Sequence, residues 1–209
     1  MPSEHPKQII VPPFDEVYLT PSDPKFLPET EQSAIYDDIH FNCLSENCKG
    51  IILTSECDLV QGSPDDYVLV ARICPIGLIW AWWLKTKKDY SDNEIIGEEP
   101  LSRGKRKDIL EEFSKYYINN RTHQYHFLPE NSGAIDASFI CFELTECMQV
   151  KNFDPSKKIC VLKSPFREAV PTRYSAYIGR IGTSAIDNSY KKTALDSVCK
   201  LKNPPQPSG

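Results

Sequence analysis

Two apolar, β-branched runs near the middle of the chain, residues 50–54 and 67–73, flank a polar segment that contains Gly62 and Pro64. Runs of this length and composition, separated by turn residues, are typical of two paired antiparallel strands. Residues 35–41 precede them with a mixture of apolar and polar positions that suits a first strand. The pattern therefore predicts a β framework that begins at about residue 35.

The β pattern returns after residue 122 and ends in a predicted helical cap. Ser164 and Pro165, followed by Glu168, have the composition of a helix start, in which serine is the cap and proline occupies the first turn. Pro171 then marks either a kink or a new start, and Gly182 is expected to end the helix. The predicted strands are residues 123–128 and residues 137–144 with their continuation 148–153. Residues 158–162 are predicted to form either a short strand or the approach to a helix.

Residues 77–122 interrupt the β pattern and are predicted to form a helical insertion. Apolar residues at three- and four-residue spacing predict a helix over residues 105–118, with Ser102 as its cap. The tryptophan-rich stretch 76–84 cannot place all of its indoles on one face of a strand. It is therefore expected to form either the start of a helix or an aromatic wedge.

Both ends of the chain lack a sustained hydrophobic period. Residues 1–34 are rich in proline and are interpreted as an extended arm, docked in part through its apolar residues Ile9, Ile10, Val11, Val17 and Leu19. Residues 183–209 form a tail that is expected to be disordered beyond Cys199. The folded domain is predicted to span residues 35–182.

Charge and hydrophobicity narrow the class of protein. The 209 residues carry a formal net charge of −5, with 40% hydrophobic and 25% charged residues, which is ordinary for a soluble globular chain. A chain with this charge has no global basic field, so nucleic-acid binding requires a local patch. The N-terminal sequence does not have the pattern of a signal peptide, and the longest apolar run, residues 73–84, is too short for a bilayer. A cytoplasmic location without membrane contact is expected.

A thiol and a carboxylate, Cys57 and Asp58, lie side by side where the first strand of the central pair ends. A nucleophilic cysteine needs a base, usually histidine, that a third group orients, and His40, His123 and His126 are available. The alternative is that Asp58 hydrogen-bonds loop amides and that Cys57 packs beneath it. The candidate catalytic residues are Cys57, Asp58, Asp38 and Arg180. In this set Asp58 or a histidine would act as general acid or base, and Arg180 would stabilise the charge that develops on a phosphate.

The eight cysteines raise the question of zinc. Thiolate and imidazole donors from neighbouring loops could form a tetrahedral site, although the sequence has no tight pair of the CxxC type. The alternatives are ordinary reduced thiols, or a disulfide within the 43–48 loop. No other cofactor is indicated. The candidate zinc ligands are Cys43, Cys48, Cys57, Cys74 and His40.

Basic and aromatic residues on the insertion suggest contact with single-stranded nucleic acid, because cations neutralise phosphates and rings stack on bases. The alternative is a solvated helix face, since Asp108, Glu111 and Glu112 interrupt the basic run. The sequence contains no glycine-rich phosphate loop, HExxH or GxSxG motif. The candidate nucleic-acid contacts are Arg103, Lys105, Arg106, Lys107, Lys115, Arg121, Arg167 and Arg173. The last two are expected to form a second anion site together with Arg180, and the alternative is that these arginines pair with Asp58, Glu168 or the helix end.

The order of these elements resembles the MazF/PemK-type proteins. The segments that carry the resemblance are Asp38-Ile39, GIILTSECDL at 50–59, YVLVARI at 67–73, YHFLPE at 125–130 and ICFELTECMQV at 140–150. The resemblance implies a small SH3-like barrel of a bacterial toxin that cleaves RNA. The first loop of that family carries a catalytic arginine, whereas residues 42–48 contain none.

The chain is also similar to uncharacterised bacterial proteins with a strand-end Cys-Asp-Leu and a C-terminal SPFRE stretch, here residues 57–59 and 164–168 followed by Arg180-Ile181-Gly182. We therefore expect a mainly β, α+β fold: an SH3-like, PemK-type β-barrel with a helical insertion and a C-terminal helical cap. The expected function is a bacterial nucleic-acid-interacting protein, either a toxin-like ribonuclease or a phage-defence component, with RNA and an antitoxin as partners. The alternative is a non-enzymatic protein-interaction subunit, with or without structural zinc.

Overall fold

The apolar runs of the chain form strands, and its polar and aromatic middle forms helices. The computed structural model describes residues 17–27, 29–59, 66–88, 90–91, 103–131 and 134–180, apart from the side chains of residues 57 and 103–106. The chain divides into two units, Met1–Ile178 and Gly179–Gly209, and the elements below belong to the first. The predictions for residues 1–16, for Ser102 and for the tail beyond residue 180 lie outside the described residues.

Seven strands form one antiparallel sheet in the order β1-β7-β2-β3-β4-β6-β5. The predicted central pair is confirmed, since Ile51 lies opposite Ala71 in the register of β3 and β4. The segments 137–144 and 148–153, predicted as a strand and its continuation, are joined in one long strand that ends at Gln149 and is followed by a 3₁₀-helix, Val150–Asn152. The strands are β1 Tyr18–Leu19, β2 Ala34–Ile39, β3 Cys48–Ile52, β4 Tyr67–Pro75, β5 Tyr125–Leu128, β6 Ser138–Gln149 and β7 Lys158–Leu162.

The sheet is open. Among the described residues the end strands β1 and β5 each pair with one neighbour and not with each other, so the predicted closure into a barrel is not formed. The α+β class is confirmed, because helices pack on both faces of the sheet. The docking of the N-terminal arm is visible in β1, whose short strand pairs with β7 and places Val17 and Tyr18 in the core.

Three of the four α-helices described fall into the predicted regions, whereas the short helix Glu56–Leu59 was not predicted. The tryptophan-rich stretch is helical, and Pro171 lies inside a single C-terminal helix and does not start a new one. The third helix continues directly into a π-helix, Ser114–Ile118. The helices are α1 Glu56–Leu59, α2 Ile76–Lys87, α3 Arg103–Phe113 and α4 Phe166–Ile178. No helix within the described residues is long and apolar enough to span a membrane.

Strand alternation separates the core into two sides. Ile51 packs in the cluster that includes Val170 of α4, whereas Ile52 packs with Val70 in a cluster on the other side of the sheet. A third group, which we call the insertion cluster, joins α2 and the α3–π-helix segment to β5 and β6. Burial of each large side chain in these clusters stabilises the fold by about 1.5–3 kcal/mol. The insertion is therefore packed on the sheet as part of the same fold.

Candidate functional site

The thiol and carboxylate at Cys57-Asp58 lie in the short helix α1, directly after β3. The Ser55 hydroxyl donates a 2.6 Å hydrogen bond to Asp58 Oδ2, and the Asp58 amide donates to the Ser55 carbonyl at 3.1 Å. Asp58 is exposed to solvent. Its carboxylate therefore accepts a hydrogen bond from a hydroxyl of its own turn, a partner other than the loop amides of the structural alternative.

One predicted guanidinium group does lie at α1. Arg167 Nη1 lies 3.5 Å from Glu56 Oε2, so it pairs with Glu56 and not with Asp58. Gln32 links the two elements, because its Oε1 accepts from the Glu56 amide at 3.0 Å and its Nε2 donates to the Arg167 carbonyl at 3.4 Å. Arg180 follows α4 in the second unit and is exposed.

The structure does not bring Asp38 to the Cys57-Asp58 segment. In the β2–β3 register Ile35 lies opposite Ile51, whereas Ile39 lies opposite Cys48. Asp38 is therefore at the hairpin end of these strands, and α1 follows the opposite end of β3. At about 3.3 Å per residue, the intervening positions separate the two groups by more than 10 Å. The predicted catalytic set is thus divided between two ends of the sheet.

Asp38 lies in a polar arrangement of its own. It has a left-handed backbone with φ of 62°, and Asn47 Nδ2 donates to its Oδ1 at 2.9 Å. Lys157 Nζ lies 3.5 Å from Oδ2. The Asn47 hydrogen bond and then the Lys157 charge lower the pKa of the Asp38 carboxyl. His40 Nδ1 lies 3.1 Å from Asn47 Oδ1, so a neutral His40 donates from Nδ1 and keeps Nε2 as an acceptor.

Asp38 and His40 border a cavity of about 480 Å³, which we call the hairpin cavity. Tyr67 at the start of β4 and Glu146 on β6 line its other side. The backbone amide of Asn42 donates to Glu146 Oε2 at 2.9 Å, and the Asn42 side chain donates to Oε1. Tyr67 and Glu146 were not predicted as site residues, because their proximity to His40 depends on the β4–β6 pairing. The cavity can accommodate a polar ligand beside two carboxylates and an imidazole.

The predicted zinc ligands are dispersed. Cys74 is buried and hydrogen-bonds to Cys141, and this bond together with burial raises the pKa of the Cys74 thiol. Cys48 is half-buried and burial raises its pKa, while Cys43 is exposed. Cys57 lies beyond the opposite end of β3. Within the described part of the chain, no three side chains of the metal-binding types lie close enough together to hold a metal ion, and this holds for His40 as well.

The predicted basic patch is present in part. Lys107 is exposed and lies 3.7 Å from Glu111, and Lys115 Nζ lies 5.5 Å from the centre of the Tyr116 ring. Arg121 is exposed just after the π-helix. Arg103, Lys105 and Arg106 belong to α3, but their side chains lie outside the described parts.

Arg173 is partly buried and contacts the start of β5 and the segment before it. Its Nη2 donates to the carbonyls of Thr122 at 2.9 Å and Tyr125 at 3.0 Å. His126 is only 7% exposed, and burial and the Arg173 charge lower its pKa to about 3. Arg173 thus has a structural role that its sequence position did not indicate, and its predicted anion contact stays a prediction.

The predicted site residues that the structure describes therefore lie in three separate regions: the α1 segment, the hairpin cavity, and the insertion with its neighbour Arg173. His123 precedes β5 and is half-buried.

No protein family, no curated protein and no solved structure matches this chain in the comparisons.

Proposed function

We propose that the chain is a nucleic-acid-interacting protein and that its helical insertion binds a single strand. The residues we assign to this insertion surface are Trp82, Lys115, Tyr116 and Arg121. The observation that carries the proposal is the exposed Tyr116 ring, which is 44% exposed and has the Lys115 ammonium 5.5 Å from its centre. A ring with an adjacent cation supplies the two contacts that single strands require, stacking on a base and neutralisation of a phosphate.

Trp82 adds a second exposed ring. It is 43% exposed, and its ring centre lies 6.5 Å from that of Tyr125. Aromatic side chains are enriched at interaction surfaces, which makes this exposed indole of the insertion a second candidate contact. Stacking of one base on such a ring stabilises a complex by about 1–3 kcal/mol and is tolerant of sequence.

The local charge also favours a polyanion. Residues 103–122 contain six lysines and arginines but three aspartates and glutamates, in a chain whose net charge is −5. Two of those carboxylates are neutralised, since Glu111 pairs with Lys107 and Glu112 Oε2 lies 2.5 Å from Lys88 Nζ. The remaining cations raise the local concentration of nucleic acid in a salt-dependent way.

The backbone fixes the position of Tyr116. The amides of Arg121 and Thr122 both donate to the Tyr116 carbonyl at 3.0 Å, which closes the wide turn of the π-helix. Single π-helical turns are rare and often occur at functional sites. This turn places Tyr116 and Arg121 within one short backbone loop.

The test is binding of a fluorescein-labelled 20-mer of single-stranded RNA, followed by anisotropy at low salt. Tyr116→Ala is expected to weaken the affinity about fivefold to hundredfold, because one stacking contact is lost. Leu110→Ala is the matched control, since Leu110 is 48% exposed on the same insertion but has no ring. Equal affinities of the two variants, or no binding by the unchanged protein, would refute the proposal.

A second candidate function is RNA cleavage at the hairpin cavity, in line with the resemblance to PemK-type toxins. Metal-free cleavage needs a base that deprotonates the 2′-hydroxyl and an acid that protonates the leaving 5′-oxygen. His40 has an acceptor Nε2, Glu146 and Asp38 supply carboxylates, and Tyr67, 64% exposed, offers a ring for a base. We also propose that strands β2–β4 are related to the strands of SH3-like barrels, and that the protein acts in a toxin or phage-defence module.

Cleavage is tested with a dual-labelled RNA in the presence of EDTA. His40→Ala is expected to lower the cleavage rate about 10²- to 10⁴-fold, as expected for loss of a general acid or base. Cys43→Ala, an exposed change in the same β2–β3 loop, is the control and is expected to keep the rate of the unchanged protein. If His40→Ala cleaves RNA at the same rate as the unchanged protein, the hairpin cavity is not the cleavage site. The remaining alternative is then a non-enzymatic protein-interaction subunit.

A further inference from the structure

Strand β6 is longer than the strand that covers its outer side. Its pairing with β4 runs from Ser138 to Gln149, whereas β5 pairs only with residues 138–141. Within the described residues no strand lies beside residues 145–149 on the side away from β4. These residues, which we call the free edge of β6, are therefore an open sheet edge of the kind that can pair with another chain.

The register shows which backbone groups of this segment are already used by β4. The Val150 amide donates to the Asp66 carbonyl at 2.9 Å, so this pair is a hydrogen-bonded one. In an antiparallel ladder such pairs recur at every second residue. The β4–β6 register continues the series through Met148 and Glu146, whose backbone groups therefore point toward β4.

The residues between them point the other way. The Leu53 amide donates to the Leu69 carbonyl at 2.8 Å, so Leu69, which lies opposite Cys147, turns its backbone toward β3. The N–H and C=O of Cys147 accordingly point away from β4, and Thr145 and Gln149 follow the same alternation. Among the described residues, the Cys147 backbone groups and the Gln149 amide have no hydrogen-bond partner. They are available to an added strand.

The hairpin cavity lies along the free edge. It is lined by four consecutive residues of β6, 146–149, and neighbours along a strand point to opposite faces of the sheet. A cavity that touches all four therefore lies beside the edge and not on one face. It has a volume of about 480 Å³, and Tyr67 in its lining is 64% exposed. The edge thus has open space where an added strand would lie, about 4.8 Å from β6.

The charge of the lining favours a cationic occupant. Glu146 accepts hydrogen bonds from Asn42, but no cation pairs with it among the described residues. Asp38, which pairs with Lys157, adds a second carboxylate to the lining. The described lining contains no lysine or arginine. Opposite charges on neighbouring strands stabilise a sheet, so a basic strand gains a contact here that a polyanion does not.

We propose that the free edge of β6 binds an extended, basic segment of a partner protein by antiparallel strand addition. The backbone of the segment bonds to Cys147 and Gln149, and its side chains alternate between the two faces of the sheet. Glu146 and Met148 share one face, which takes the lysines or arginines of the segment. Tyr67 lies opposite Gln149 on the other face, where its exposed ring packs against β-branched side chains.

This inference goes beyond the proposed function and does not depend on it, because no residue of the insertion surface lines the hairpin cavity. Tyr116→Ala is therefore expected to bind the segment as the unchanged protein does. A segment on the free edge and an RNA strand in the hairpin cavity exclude each other. Binding of the segment is thus expected to inhibit cleavage that depends on His40.

The first test measures the anisotropy of a fluorescein-labelled hexapeptide of alternating valine and lysine. When its valines share the face of Tyr67, the valine amides point at β6 and the lysine amides point away. N-methylation of the valine amides is expected to weaken binding at least tenfold, because the ladder hydrogen bonds are lost. N-methylation of the lysine amides is expected to keep the affinity. Equal affinities of the two N-methylated peptides, or no binding of the unmodified one, would overturn the proposal.

The second test changes the edge itself. Cys147→Pro removes an outward N–H at an exposed position and no bond of the β4–β6 ladder, and proline is accepted at such edge positions. It is expected to weaken binding of the peptide at least tenfold, whereas Cys147→Ser keeps the N–H and is expected to bind as the unchanged protein does. Circular dichroism checks that the proline variant is folded; if it is not, the N-methylated peptides decide. Equal binding by two folded variants contradicts strand addition.

The charge preference is tested with Glu146→Gln. This variant is expected to weaken binding of the valine–lysine peptide about twofold to fivefold, the range for one cross-strand charge pair, and to leave a valine–threonine peptide unaffected. An equal effect on both peptides would overturn the basic character of the partner. Single-stranded RNA that binds in a Cys147-dependent way, in the absence of any peptide binding, would assign the free edge to RNA and overturn the proposal.

Discussion

Replacement of Lys158 by methionine is expected to destabilise the protein by about 3–5 kcal/mol, the range for removal of one partner from a buried ion pair. The Lys158 side chain is fully buried, and its Nζ donates to the carbonyls of Leu27 at 2.6 Å and Glu29 at 2.7 Å. It also donates to Glu31 Oε1 at 2.7 Å. Methionine fills a similar volume but satisfies none of these acceptors, so a carboxylate and two carbonyls lose their partner.

The position of the lysine explains why the effect is large. Lys158 opens β7 opposite Tyr36 of β2, and its ammonium lies 4.8 Å from the centre of the Phe26 ring. The single ammonium therefore links Leu27, Glu29 and Glu31 to the sheet. Phe26 also packs against the apolar cluster that contains Tyr36, whereas Leu27 is 55% exposed and contributes little burial. Loss of the lysine is expected to loosen this attachment as well as to leave the acceptors unsatisfied.

Urea denaturation followed by circular dichroism measures the change in the unfolding midpoint. Lys157→Met is the matched control, since the neighbouring Lys157 is 48% exposed and makes only a surface ion pair with Asp38. Its midpoint is expected to stay near that of the unchanged protein. The double variant Lys158→Met/Glu31→Gln is expected to recover part of the loss, because it removes the unpaired charge. Equal midpoints for Lys157→Met and Lys158→Met would contradict the buried-pair interpretation.

Local sequence pattern was sufficient for most of the framework. The β-branched runs around residues 50 and 70 predicted β3 and β4, and the three- and four-residue spacing of Ile109, Phe113 and Tyr117 predicted α3 and its continuation. These signals are local, because the apolar residues that face the core recur along the sequence with the period of the strand or helix itself. Closure of the sheet is not local, since it depends on whether β1 and β5 meet.

The candidate sites show the same limit. Cys57 and Cys74 end adjacent strands in the sequence, but the antiparallel register places them at opposite ends of β3 and β4. The hairpin cavity needs Glu146 on β6 beside Asn42, which is 104 residues away along the chain. The Lys158 contact to Leu27 spans 131 residues. Residue type alone indicates that such groups need partners, but only the register shows which partners they have.

Replacement of Phe113 by alanine is expected to destabilise the insertion by about 3–5 kcal/mol, the range for deletion of a buried aromatic side chain. Phe113 is 3% exposed and is the last residue of α3 before the π-helix. Its ring centre lies 5.0 Å from Trp80, 5.4 Å from Trp83 and 4.9 Å from Tyr117. The ring thus joins α2 to the π-helix that carries Tyr116, and alanine leaves a cavity between them.

The three tryptophans provide a selective measurement, because all of them lie on α2. Urea unfolding followed by tryptophan fluorescence therefore reports on the insertion, and its midpoint is expected to fall in Phe113→Ala. Leu110→Ala changes an exposed residue of the same helix, 48% exposed, and is expected to shift the stability by less than about 0.5 kcal/mol. If both variants unfold at the same urea concentration, the ring does not hold the insertion together. In that case the rigid support that the proposed binding surface requires would be absent, because Tyr116 follows Phe113 by less than one helical turn.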